Sequence, residues 1–177
     1  EKYALEDKII KYYPQRITAL ENRIEGLKQD VETAKQHPKP TDDRFVGMEV
    51  KGVFYSEKAD AGKAIINACK QMNSPDPIPL GKYRGFETEL LFNTAERNYE
   101  VRLKGATSRN VPLGDDAHGN IIRLDNGIER FAESLSLAEN DLENTKNQLE
   151  TAKEEVQKPF IQEEELKTKL ARLDELN

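Results

Sequence analysis

The chain is predicted to be α+β: a long antiparallel helical coiled coil formed by its N- and C-terminal arms, with a small, mostly antiparallel sheet and one helix inserted between them. Three observations carry this expectation. Near both ends, apolar residues recur at alternating spacings of three and four, which is the coiled-coil period. Across the middle they alternate with polar residues at a spacing of two, which is the period of a half-buried strand. Finally, the 177 residues are 34 % charged and 36 % hydrophobic with no Trp, too polar for one large core drawn from the whole chain.

The first arm covers residues 1–40. Its seam is Ile10, Tyr13, Ile17, Leu20, Ile24, Leu27, Val31 and Ala34. Pro14 kinks this helix or marks its first turn, and Pro38 and Pro40 stop it. The second arm covers residues 126–177. Asn126 followed by Glu129 reads as an N-cap with a capping box. Its seam is Ile128, Phe131, Leu135, Ala138, Leu142, Thr145, Leu149, Ala152 and Val156; Pro159 is expected to break the helix, and Leu166, Leu170 and Leu173 continue the stripe.

Two arms that flank an insert leave and return at one end, so they pair antiparallel. Two registers compete. The preferred one sets Ala34 against Leu135, Val31 against Ala138 and Tyr13 against Val156, and brings Glu21 near Lys146 and Lys28 near Glu139. A slide of one heptad sets Glu21 against Glu139 instead. Exposed pairs are worth only about 0.3–0.5 kcal/mol each. In the preferred register Leu170 and Leu173 face positions before Glu1, and their partner comes from a longer parent chain or a second copy. The absence of an initial Met points the same way.

The insert covers residues 41–125. Val46, Met48, Val50 and Phe54 alternate with polar neighbours as one strand. Ser56 can cap a helix whose face carries Ala61, Ile65, Ala68 and Met72. Ser74 to Pro79 reads as a proline-rich loop. Strands follow at Phe86–Phe92 and Tyr99–Leu103, joined by a turn at Asn93–Asn98, with short further strands at Val111–Leu113 and Ile121–Leu124.

Several chemistries are disfavoured. Lys plus Arg is 27 against 33 for Asp plus Glu, a net charge of −6, so any polyanion contact must be a local patch. Cys69 is the only cysteine, which excludes an intramolecular disulfide and fits a reduced, cytoplasmic setting. No leader opens the chain and no stretch is apolar enough for a membrane span. Ala61-Gly62-Lys63-Ala64 lacks the first Gly and the Ser/Thr of a phosphate-binding loop. Asp76-Pro77-Ile78-Pro79 lacks the paired prolines and aromatic of a methylase loop. Asp115, Asp116 and His118 are explained by turn chemistry. No catalytic residue, metal site or cofactor is indicated.

One constructive signal is charge. From Lys82 to Leu113 there are six positives and four negatives, a local +2 in an acidic chain. Lys82, Arg84, Arg102, Lys104 and Arg109 are the candidate phosphate contacts, with Tyr83 and Phe86 interleaved as stacking platforms do in single-strand binders. The competing reading is a solvated sheet face whose aromatics lie in the core.

Three stretches together carry a resemblance: Tyr13-Pro14-Gln15-Arg16-Ile17 with the heptads after it; Phe45-Val46-Gly47-Met48-Glu49-Val50-Lys51-Gly52 continuing to Ala61-Gly62-Lys63-Ala64; and Leu80-Gly81-Lys82-Tyr83-Arg84-Gly85-Phe86. They resemble the C-terminal region of large Swi/Snf-type helicase and adenine-specific DNA methylase fusion proteins of bacterial conjugative elements and phages. The resemblance implies a non-catalytic accessory module of a mobile-element protein. Its partners would be DNA, bound weakly and with strong salt dependence, and the upstream domains of the parent. Protein docking or self-association through Leu166, Leu170 and Leu173 is the alternative.

Overall fold

A computed structural model describes the backbone of residues 2–176, and their side chains apart from those of 159–163 and 172–176. Two compact units are present: Arg23–Ser136, and Glu1–Asn22 with Leu137–Asn177.

The elements run α1 (Lys2–Asp7), a π-helical turn (Lys8–Tyr12), α2 (Tyr13–Gln36), β1 (Met48–Val50), β2 (Val53–Tyr55), α3 (Lys58–Gln71), β3 (Ile78–Tyr83), β4 (Phe86–Asn93), β5 (Asn98–Lys104), β6 (Ser108–Pro112) and α4 (Ala117–Leu176). Helix and sheet are both substantial, so the class is α+β. The sheet has six strands in the order β2-β1-β3-β4-β5-β6, and every neighbouring pair is antiparallel.

Alternation builds the sheet of the Arg23–Ser136 unit. Phe86, Thr88 and Leu90 of β4 are buried, as are Val101 and Leu103 of β5 and Val111 of β6. This face packs on helices: Ala61, Ile65 and Ala68 of α3, Ile24 and Leu27 of α2, and Ile121, Leu124, Ile128 and Phe131 of α4 are all buried. Phe86 and Phe131 stack at 5.1 Å between centroids. The turn between β5 and β6 is held by Asp30 of α2, whose buried carboxylate accepts bonds from the Ala106 N–H at 2.7 Å, the Thr107 N–H at 2.8 Å and the Thr107 hydroxyl. Gly105 leaves room for that carboxylate, since a Cβ there would lie 2.0 Å from Asp30 Oδ1.

In the other unit the expected stripes are the inward ones. Leu20, Ala138, Thr145 and Ala152 are buried. Tyr13, Ile17, Leu142, Leu149 and Val156 are half-buried.

The structure corrects several expectations. Residues 46–55 form a hairpin rather than one strand, because Lys51 (φ 52°) and Gly52 (φ 83°) turn the chain in the way tight two-residue hairpins require. Val46 and Phe54 are exposed in consequence. Part of the proline loop is strand β3; Pro79 is accommodated beside a register shift between Pro79 and Gly81. The last helix begins at Ala117, not Asn126. The Asp116 carboxylate caps it by accepting the Gly119 N–H at 2.9 Å. Residues 121–124 are therefore helical, and Ile121 and Leu124 are buried because they share a helix face with Ile128.

Helix α4 also continues through position 159 without a break. Ile10 faces out at 70 % exposure because the π-helical turn at Lys8–Tyr12 rotates it off the stripe; Ile9 is half-buried in its place. Finally, Val31 and Ala34 share a groove of about 420 Å³ with Ile128, Phe131 and Ala132. Leu166 and Leu170 are exposed; the Leu173 side chain lies outside the described residues.

Candidate nucleic-acid interface

The five candidate phosphate contacts fall into three different environments. Lys82, Arg102 and Lys104 share the solvent face of the sheet, because β4 and β5 pair Glu87 with Lys104 and Glu89 with Arg102, while β3 and β4 pair Lys82 with Glu87. That register alternates sign. Glu89 is shared by Arg102 at 3.4 Å and Lys104 at 3.5 Å, Arg102 also donates to Asn110 at 3.1 Å, and Lys82 lies 4.0 Å from Glu87. The face is therefore charged but largely self-compensated.

Arg84 is not on a surface at all. It occupies the turn between β3 and β4 with φ 48°, followed by Gly85 at φ 83°. Its side chain is 2 % exposed and binds Asp125 at 3.1 Å and Glu129 at 3.0 Å. Its Nε donates to the His37 carbonyl at 2.9 Å. The Tyr83 hydroxyl donates to Asp125 at 2.6 Å. Burial, and then the hydrogen bond to Asp125, push the Tyr83 phenol well above its ordinary range. Arg84 is thus a structural cation, and the expectation that it contacts phosphate is corrected. Tyr83 and Phe86, at 2 % and 0 % exposure, belong to the core and offer no stacking platform.

Arg109 differs from all of these. It sits on the edge strand β6 and lies over the Phe131 ring, with Cζ 6.0 Å from the centroid. It donates to Ser134 Oγ at 2.9 Å and to the Arg130 carbonyl at 3.5 Å, and among the described residues it has no carboxylate within ion-pair distance. Partial burial and the charges of Arg130 and Arg23 lower its pKa, against a raising influence of Glu133.

The sequence reading missed two neighbours. Arg123 and Arg130 of α4 line a groove with Arg109, Asn110, Asn126 and Gly127. The sequence reading places residues 121–124 in a strand and Arg130 in the second arm, so nothing in linear order joins them to Arg109. Helical spacing would have joined Arg123 to Arg130, two turns apart on one face; their approach to Arg109 is set only by the packing of β6 on α4.

Burial pushes the Cys69 thiol up to about 11, which keeps it neutral and unreactive at ordinary pH. Among the described residues no three His, Cys, Asp or Glu side chains gather to hold a metal ion, and no described helix is long and apolar enough to cross a membrane. No protein-family model matches the chain, and no curated protein or solved structure matches it.

Proposed function

We propose that the chain is a non-catalytic accessory module of a mobile-element DNA helicase/methylase protein, and that it contacts DNA through its α+β unit. The family assignment rests on the three resembling stretches. The arms, in this reading, pair as an antiparallel coiled coil. The observation that carries DNA contact is the arginine cluster at the β6 edge: an acidic chain that gathers Arg109, Arg123 and Arg130 at one groove, with no ion-paired carboxylate among the described residues, keeps a local field that attracts polyanions. The sheet face contributes less, because Glu87 and Glu89 offset Lys82, Arg102 and Lys104.

Fluorescence anisotropy with labelled duplex and single-stranded oligonucleotides tests the reading. Binding at low salt that falls steeply as salt rises is the expected result; no binding at low salt removes it. One observation favours the alternative of self-association: Leu166 and Leu170 are 59 % and 53 % exposed on the distal part of α4. Analytical ultracentrifugation decides that point, and a monomer at high concentration ends it.

A further inference from the structure

We infer that the groove between β6 and α4 is a phosphate-tracking site, in which Arg109, Arg123 and Arg130 engage phosphates of one nucleic-acid strand without reading its bases. The inference rests on the DNA reading above and specifies the chemical group recognised and the residues that recognise it.

Geometry is the first support. Arg123 and Arg130 lie seven residues apart on α4, so their attachment points are about 10.5 Å apart along the helix axis. A strand of duplex carries one phosphate per about 3.4 Å of axis, so the pair spans about three nucleotide steps. Arg109 approaches the same groove from β6, and Asn126 adds a neutral amide to its wall.

Preorganisation is the second. Two of the guanidinium groups are tethered by bonds that leave further donors free. Arg123 Nη1 donates to the Pro112 carbonyl at 3.3 Å, and Arg109 Nη2 is held by Ser134 and the Arg130 carbonyl. An arginine presents five donors in a rigid fork that matches phosphate oxygens two at a time, so a group held through one or two donors still has others to offer.

Shape and chemistry exclude base readout. The groove encloses only about 220 Å³, and Tyr83 and Phe86, the aromatics first considered for stacking, are buried in the core. Phosphate contacts position a strand without carrying sequence information.

The test uses the full chain and two variants that alter exposed or half-exposed surface residues. Binding of a labelled 20-mer duplex and of its single strand is measured against KCl concentration for the wild type, Arg123→Gln/Arg130→Gln, and Arg102→Gln/Lys104→Gln. Circular dichroism confirms that each variant is folded. The inference expects the α4 double variant to lower the magnitude of the log–log salt slope on duplex by about 1.8, or about 0.9 for each lost phosphate contact, equally for oligonucleotides of unrelated sequence. The sheet-face variant should change the slope by less than half of that. An unchanged slope in the α4 variant, with the loss transferred to the sheet-face variant, overturns the site and leaves DNA binding standing. A loss confined to one oligonucleotide sequence overturns backbone recognition. If the wild type ignores both oligonucleotides but a poly-glutamate peptide binds in an Arg123- and Arg130-dependent way, the groove is an acidic-protein site and both readings fall.

Discussion

The turn between β3 and β4 and the edge strand β6 belong to the same α+β unit, and each presents an arginine packed against α4. At the turn, Arg84 meets Asp125 and Glu129 and is sealed from solvent. At the edge, Arg109 meets a serine hydroxyl and a backbone carbonyl, and its charged neighbours are mostly further arginines. In the linear sequence the two arginines look alike. The difference teaches that a positive residue is available to a partner only after its intramolecular carboxylates have been counted. Helix α4 decides both cases: positions 125 and 129 supply acid to the turn, whereas positions 123 and 130 supply base to the edge.

The largest expected effect is at the turn. Arg84→Met leaves Asp125 buried without its cation and should destabilise the protein by about 3–5 kcal/mol, the usual result of breaking a buried pair from one side. Urea unfolding followed by circular dichroism measures it. Arg84→Met combined with Asp125→Leu should recover much of the loss, because no buried charge then remains unpaired. A loss below about 1 kcal/mol in the single variant would show that water already solvates the pair, and the contrast between the two regions would collapse.

That network was only partly legible in the sequence. The heptad spacing of the arms and the strand alternation of β4 and β5 were readable because each is a local period. The turn at Asn93–Asn98 was readable too, and β4 and β5 pair from Asn93 opposite Asn98. The start of α4 was not. Its cap is the Asp116 carboxylate, and its first turns carry Gly119, Asn120 and Gly127, which weaken any helical reading from propensity. Once that start was missed, Asp125 became a loop end and Arg123 a strand residue, and neither could be matched to Arg84 or Arg109. The contacts of Asp30 and Phe131 were hidden for a related reason: their partners, the β5–β6 turn and Phe86, lie far from them in sequence.

Tyr83→Phe sharpens the same side of the comparison at smaller cost. It removes one hydrogen bond to a buried carboxylate, and about 1.5–3 kcal/mol should be lost. The phenol pKa is raised above 10.0 on folding. The stability linked to that shift is therefore fully present below pH 10 and declines as pH rises beyond it. The stability gap between wild type and variant should be smaller at pH 10.5 than at pH 8, by about 0.8 kcal/mol. A constant gap would mean that the folded protein does not hold this phenol neutral.

Glu89→Gln probes the self-compensated sheet face, which lies between the two extremes. Glu89 serves Arg102 and Lys104 together, but the partners are partly exposed and solvent screens them, so the stability change should stay within about 1 kcal/mol. The more informative quantity is DNA affinity. Releasing two cations from one carboxylate should strengthen binding at low salt by a small factor. A decrease would mean that this carboxylate positions Arg102 and Lys104 for contact rather than occupying them.

The smallest expected effect has the opposite sign. Arg130 lies close enough to Arg109 to lower its pKa, and Arg23 acts in the same direction. Removing the Arg130 charge with Arg130→Gln therefore relieves repulsion while leaving the Arg130 carbonyl that Arg109 uses. Like charges on an exposed helix cost a few tenths of a kcal/mol, so the variant should be as stable as wild type or more stable by up to about 0.5 kcal/mol. The gain should shrink at high salt, where the repulsion is already screened. A protein that keeps a mildly destabilising charge at one edge while pairing its buried arginine with two carboxylates uses the two groups differently: Arg84 holds the fold together, and the edge arginines remain available to an anion. A clear loss of stability in Arg130→Gln, of 1 kcal/mol or more, would instead make the edge a second structural network and remove the physical ground for a binding groove there.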